Sequence, residues 1–172
     1  MIVSMKLRKL VRVSWQSWIG LIVLVLAACT PNLASPATTL HAPGVDSTAL
    51  PPVPTLVPSD VAAGGLLYQQ HCASCHGANL VGQPNWKQPL ADGKYPAPPH
   101  DDSGHTWHHN DTVLIGITLN GGDGTGNMSH GNMPAFKDKL TEIQVRQILS
   151  FLKSRWGTQQ REYQWARTVV NN

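Results

Sequence analysis

At 172 residues, with 41% hydrophobic, 13% charged and 6% aromatic content, the chain has the length of one domain and cannot bury two sizeable cores. Its formal charge of +3 is segregated: four of the thirteen Lys/Arg residues (Lys6, Arg8, Lys9, Arg12) lie in the first twelve positions, whereas the first acid is Asp46. Three cysteines, an odd number, exclude a self-contained disulfide framework.

The basic opening leads into an uncharged stretch, 15–28, whose most apolar part is 19–28. Cations, a short apolar run and small residues in that order make an export signal, and the run falls short of the ~18 apolar residues of a membrane span. It ends in Leu26-Ala27-Ala28-Cys29, which resembles the lipobox of bacterial lipoproteins. The resemblance implies cleavage before Cys29 and lipidation of that cysteine, anchoring the exported chain to the outer side of the cytoplasmic membrane, on its periplasmic or extracytoplasmic face. An ordinary cleaved signal or a short uncleaved anchor would also export the rest of the chain. Removing residues 1–28 takes away four cations and no acid, leaving nine Lys/Arg against ten Asp/Glu and a charge of about −1. The basic balance thus belongs to the signal, and the case for a nucleic-acid partner goes with it.

Residues 29–58 read as the anchored cysteine and a Pro-rich linker: from Pro31 to Pro58 there are seven prolines and one charge, Asp46. Such a segment buries too little to fold and tends to extended, semi-rigid conformations. The folded domain is expected over 59–172, mainly α, with long Pro/Gly-rich loops. Asp60 is the expected N-cap of a helix from Val61 to Gln70, with Val61, Leu66 or Leu67, and Tyr68 as its apolar face. A shorter helix is expected from Thr112 to Leu119, capped by Asn110 or Asp111 and stopped by Gly121-Gly122. Thr141-Glu-Ile-Gln144 fits a capping box, followed by Ile143, Ile148, Phe151 and Leu152 at helical spacing. The tail from Gly157 to Asn172 carries Tyr163 and Trp165 with no evident packing partner.

The chemistry concentrates in His71-Cys72-Ala73-Ser74-Cys75-His76. Cys-x-x-Cys-His is the attachment pattern for c-type haem. Two thiols on one helical turn can add to the two vinyl groups of a haem, and the adjacent imidazole is then held under the iron. A thioredoxin-like reading lacks a βαβ context, and a zinc site from Cys72, Cys75, His105 and His109 has a 29-residue spacer against the usual 12 to 15 or so. A plain Cys72–Cys75 disulfide leaves His76 unexplained. A six-coordinate haem needs a distal ligand, and Met128, His130 and Met133 cluster in a Gly-rich stretch with little core to fill; Pro134 after Met133 stiffens the turn that would present its sulfur.

With these residues the chain resembles the class I c-type cytochromes over most of 59–156. The carriers are Gly64, Tyr68 and Cys72 at intervals of four, the Cys72 to His76 motif, Asn132-Met133-Pro134, and Ile148 with Phe151-Leu152. The resemblance implies a small, mainly α domain wrapped around one covalent haem c, held by Cys72 and Cys75 with His76 and Met133 as axial iron ligands. It also implies that Gly64 lets Phe151 approach closely and that Tyr68 closes the crossing of first and last helices. The implied function is a membrane-tethered single-haem electron carrier, not an enzyme, serving redox partner proteins of a respiratory or related chain. The alternatives are the haem subunit of a larger oxidoreductase, a peroxidase-like protein with an open distal site, or a copper-handling lipoprotein using His100 to His109.

That last segment, inside an insertion running from Gln83 to His109, holds four of the eight histidines. Three accounts are open for it. It is a haem-side loop in which Trp107 packs and a His or Trp N–H reaches a propionate, a copper or zinc site, or the source of a distal ligand in place of Met133.

Overall fold

The structure, a computed structural model, describes Gly44, residues 50–122, Gly126 and residues 131–171. The signal, Cys29, most of the linker, Met128 and His130 lie outside the described residues. Helix α1 runs Pro58–His71, and a single turn, α2, covers Ala73–His76. After a long loop come a 3-10 turn at Thr106–His108, then α3 (Asp111–Asn120), α4 (Glu142–Lys153) and α5 (Thr158–Val170). Among the described residues there is no strand, only an isolated parallel bridge between Tyr95 and Gly131. None of their helices is long and apolar enough to cross a membrane.

Helix α1 begins three residues before the expected start because Pro58 sits in its first turn, where a missing N–H and a preset φ cost nothing. Asp60 is therefore not the cap. It lies inside the first turn, where its charge faces the positive end of the helix dipole, and its Oδ1 accepts from Gln147 Nε2 at 3.2 Å. Helix α4 carries the expected capping box: Thr141 Oγ1 accepts from Gln144 N, and Gln144 Oε1 accepts from Thr141 N. Its buried stripe is Val145, Ile148, Leu149, Phe151 and Leu152; Ile143 stands two residues from Val145, on the opposite face, and is 71% exposed.

The two helices cross where α1 has no side chain. A Cβ on Gly64 would overlap the Gln147 carbonyl and crowd Ile148 N, so the contact is backbone to backbone. Phe151, expected over Gly64, instead lies against Gly65, 3.2 Å from where its Cβ would be. Tyr68, fully buried, packs on Phe151 with ring centroids 5.4 Å apart and closes the crossing as expected. Trp107, Leu114, Ile115, Phe136, Leu140 and Trp156 extend the same core.

Helix α3 is capped by Asn110, whose side chain accepts from Val113 N at 2.8 Å, and it ends at Gly121 with φ +75°. Its last carbonyls, orphaned by the end of the helix, are taken up by the chain after Met133. Phe136 N donates to Thr118 O and Leu119 O, and Lys137 N to Leu119 O.

The tail forms helix α5, and its packing partners are the start of α3 and residues 50–57. Its buried Gln164 donates to Asp111 Oδ1 (2.7 Å), Thr168 Oγ1 (3.1 Å) and His109 O (3.3 Å), while Lys153 Nζ pairs with both Asp111 oxygens at 2.7 and 2.8 Å. On the other side Trp165 Nε1 donates to Pro51 O (2.8 Å) and Arg161 to Pro54 O (3.2 Å). Residues 50–57, expected as the end of a free spacer, are thus docked on α5, with Val53 and Leu56 half-buried.

The crossing makes a measurable claim. Gly64→Ala should lower stability by about 1–3 kcal/mol in urea unfolding, since two helix backbones must separate. Gly65→Ala, meeting only the rim of Phe151 while gaining helix propensity, should stay within about 1 kcal/mol of the wild type. Equal losses for both would contradict the backbone contact.

Candidate functional site

The Cys-x-x-Cys-His segment forms where α1 breaks. Cys72 N still donates to Tyr68 O, but Cys72 has left the regular helix (φ −116°), and α2 restarts with Cys75 N and His76 N both donating to Cys72 O. Gly77, at φ +81°, ends that turn, and the buried Tyr68 hydroxyl donates to its carbonyl at 2.9 Å. One turn thus holds the Cys75 thiol outward, Cys72 half-buried and His76 inward at 7% exposure. The two thiols are not paired as a disulfide. Burial, reinforced by the charge of Cys75, pushes the Cys72 thiol up to about 11.

His76 is oriented by a residue 22 positions away: its Nδ1 lies 2.8 Å from Pro98 O. A carbonyl only accepts, so Nδ1 carries the hydrogen and Nε2 keeps its lone pair, the form in which imidazole binds a metal. Burial holds the ring's pKa below its ordinary value against the opposing pull of that hydrogen bond, which keeps it neutral. The Pro98 carbonyl is brought in by close backbone packing: Gly82, at φ +67°, has no room for a Cβ against Pro98 and Pro99. Leu80, itself left-handed at φ +69°, accepts His100 N at 2.7 Å.

Met133 is carried by the segment strapped to α3. A Cβ on Gly121 would lie 2.7–2.8 Å from the backbone of Met133, Pro134 and Ala135, and Gly122 N donates to Met133 O at 2.9 Å. The side chain is half-buried and packs on the core cluster that also contacts Cys72 and Leu67. Three residues on, Phe136 meets His71 edge-on at 6.2 Å, so the Met133 segment and the Cys72 to His76 turn border one another.

The histidine-rich loop does not gather its four imidazoles at one point, although His105 and His109 meet edge-on at 5.6 Å. His100 stacks on His76, His105 on Trp86 (5.5 Å), and His108 on the buried Trp107 (3.8 Å). Among the described residues no three His, Cys, Asp or Glu side chains converge as a metal site, which includes Cys72, Cys75, His105 and His109. The charges of Lys87 on His105, and of Arg167 on His108 and His109, oppose a further positive charge on these imidazoles. Trp107 packs as expected, but its Nε1 is directed within the loop, to Asp102 O at 3.4 Å. Pro98 is a site residue that the sequence did not single out, and His100, counted there only as one of the loop histidines, proves to be the one that lies on His76; the Pro98-Pro99 pair was the available signal, an extended stretch whose carbonyls have no ladder to join.

The sequence model of the cytochrome c family matches residues 61–156, more than half of the chain, and the chain belongs to that family. Its mainly helical architecture agrees. No curated protein and no solved structure matches it. Membership implies haem c and electron transfer, and the donor set fits that group: two thiols on one turn beside a neutral imidazole whose outer nitrogen is free to ligate.

The loop histidines give a pH dependence. Burial first, then neighbouring cations and imidazoles, lowers the pKa of His105, His108 and His109. The unfolded chain, with ordinary values, binds more protons below about pH 6.5, so stability is full above that and falls with acidification. The urea midpoint should drop from about pH 7.5 to about pH 5, and a His105→Asn, His109→Asn double variant should show a shallower slope; an unchanged slope would refute these shifts.

Proposed function

We propose that the protein is a class I, single-haem electron carrier with His76 and Met133 as axial ligands, tethered by lipid on Cys29 to the outer side of the cytoplasmic membrane. The observation that carries the reading is the 2.8 Å contact of His76 Nδ1 with Pro98 O, on the turn that also bears both thiols. Cys72 and Cys75 would each add S–H across a vinyl group, the sulfur bonding one carbon and the hydrogen the other, so no oxidant is consumed. A bound haem supplies a one-electron Fe(III)/Fe(II) couple. His76 presents Nε2, and Pro98 fixes its tautomer. Met133 would offer a soft, neutral thioether, which favours the ferrous state, and with His76 would hold the iron. Leu80, Phe136 and Leu140 belong to the buried cluster against which Cys72 and Met133 pack, and would help keep water from a bound haem.

Lipidation rests on Leu26-Ala27-Ala28-Cys29 and the charge pattern before it. The 20 residues between Cys29 and Leu50 would span roughly 25 Å as a coil and about 60 Å if extended. Confinement over that range raises the effective concentration of membrane-bound redox partners, so weak, fast encounters suffice.

An optical spectrum tests the centre. The purified protein should show covalent, low-spin haem with the methionine-to-iron charge-transfer band. Met133→Ala should abolish the band and give a high-spin or misligated ferric spectrum with the haem still attached. If Met128→Ala does this and Met133→Ala does not, the ligand assignment is overturned. Cys29→Ser should release the protein from membranes; unchanged retention would point to an uncleaved apolar segment.

A further inference from the structure

The proposed haem site uses His76 and the two thiols, yet a second imidazole touches His76 and nothing above gives it work. The His100 ring stacks on the His76 ring with centroids 4.0 Å apart and planes 25° from parallel. It is held from every side. Its Nδ1 lies 2.8 Å from Thr106 Oγ1, a buried hydroxyl also 3.4 Å from Pro99 O. The backbone of His100 is fixed as well: its N–H donates to Leu80 O at 2.7 Å and its carbonyl accepts from Trp156 Nε1 at 2.7 Å, while Tyr68 meets the ring edge-on at 6.0 Å.

The two constraints on His76 are complementary. A single hydrogen bond from Nδ1 to Pro98 O fixes one ring atom but lets the plane swivel about the line of the bond. A second ring stacked on the face removes that swivel, provided the second ring cannot itself turn. The Thr106 hydrogen bond meets that condition. An aliphatic side chain would fill the same space without a polar nitrogen to satisfy, so packing alone does not call for an imidazole here.

We propose that His100 is a positioning residue that sets the plane of the His76 imidazole and, through its electron-rich face, stabilises the oxidised centre relative to the reduced one. This rests on the haem reading above. The plane of an axial imidazole determines how its π orbitals overlap the metal d orbitals, and thus the magnetic anisotropy of the oxidised centre. The face of the stacked ring is the negative end of its quadrupole, so it favours whichever state leaves His76 poorer in electrons.

The test uses the full-length holoprotein and two readouts independent of turnover: the electron paramagnetic resonance g-values of the oxidised form and the equilibrium reduction potential. His100→Leu should keep covalent, low-spin haem but change the g-anisotropy. It should also move the oxidised-to-reduced ratio at fixed potential about three- to tenfold toward the reduced form, at most about 59 mV. His100→Phe, which restores a stacking face, should recover most of the wild-type g-anisotropy. Thr106→Val, which unlocks the ring without removing it, should broaden the g-features.

Wild-type g-values and potential in His100→Leu would overturn the role of His100, whatever happens to stability. Should that variant fail to fold, unchanged g-features in Thr106→Val would overturn it equally. A wild-type protein without covalent low-spin haem would instead overturn the underlying reading, before any variant is compared.

Discussion

Everything near the site depends on two backbones touching. Because Gly64 presents no side chain, α1 lies directly on the Gln147 carbonyl of α4, and Tyr68, one turn further on, is driven into the core against Phe151. Tyr68 then reaches past the end of its own helix to the Gly77 carbonyl, which fixes how the chain leaves the Cys72 to His76 turn. A larger residue at position 64 would tilt α1 and carry the turn with it. The cost of a helical glycine, about 1 kcal/mol, is offset by the close packing it permits.

From the crossing, constraint passes to His76 by two routes. Along α1 it arrives through Tyr68 and Cys72. Along α4 it arrives through Trp156, just past the helix, whose indole N–H holds the His100 carbonyl. His76 therefore sits between elements separated by more than 70 residues of sequence yet joined by a few hydrogen bonds. The Met133 segment is fixed differently, by lending its N–H groups to the carbonyls that end α3. Its position follows from the termination of a helix more than from its own side-chain packing.

What was legible in the sequence was what is local. The capping box at Thr141, the Asn110 cap with its Gly121 stop, and the five-residue Cys72 to His76 pattern each complete their logic within one helix or turn. Misplacements came where two local rules competed or where the partner was distant. At α1, Pro58 in the first turn overrode Asp60 as the apparent start. In α4, Ile143 was counted by spacing alone, whereas the face toward α1 runs through Val145. Gly64 and Gly65 are adjacent, and only the crossing geometry tells which meets backbone and which meets Phe151. Helix α5 was invisible because two of its three buried residues are polar: Gln164 donates to Asp111, His109 and Thr168, Thr168 accepts from Asp111 N, and the apolar share, Ala166 with the half-buried Tyr163, is too small to announce the interface.

The docking of residues 50–57 on α5 also decides where the domain is mechanically strong. Trp165 and Arg161 grip Pro51 and Pro54 ahead of α1, so a pull on the chain from its N-terminal side is taken up first by α5. From there the load passes through Gln164 and Asp111 to Lys153 at the end of α4. Helix α1 and the Cys72 to His76 turn lie downstream of that grip. Tension must strip the strap before it can deform the turn, which makes the last helix a strain relief for the haem-binding end of the fold.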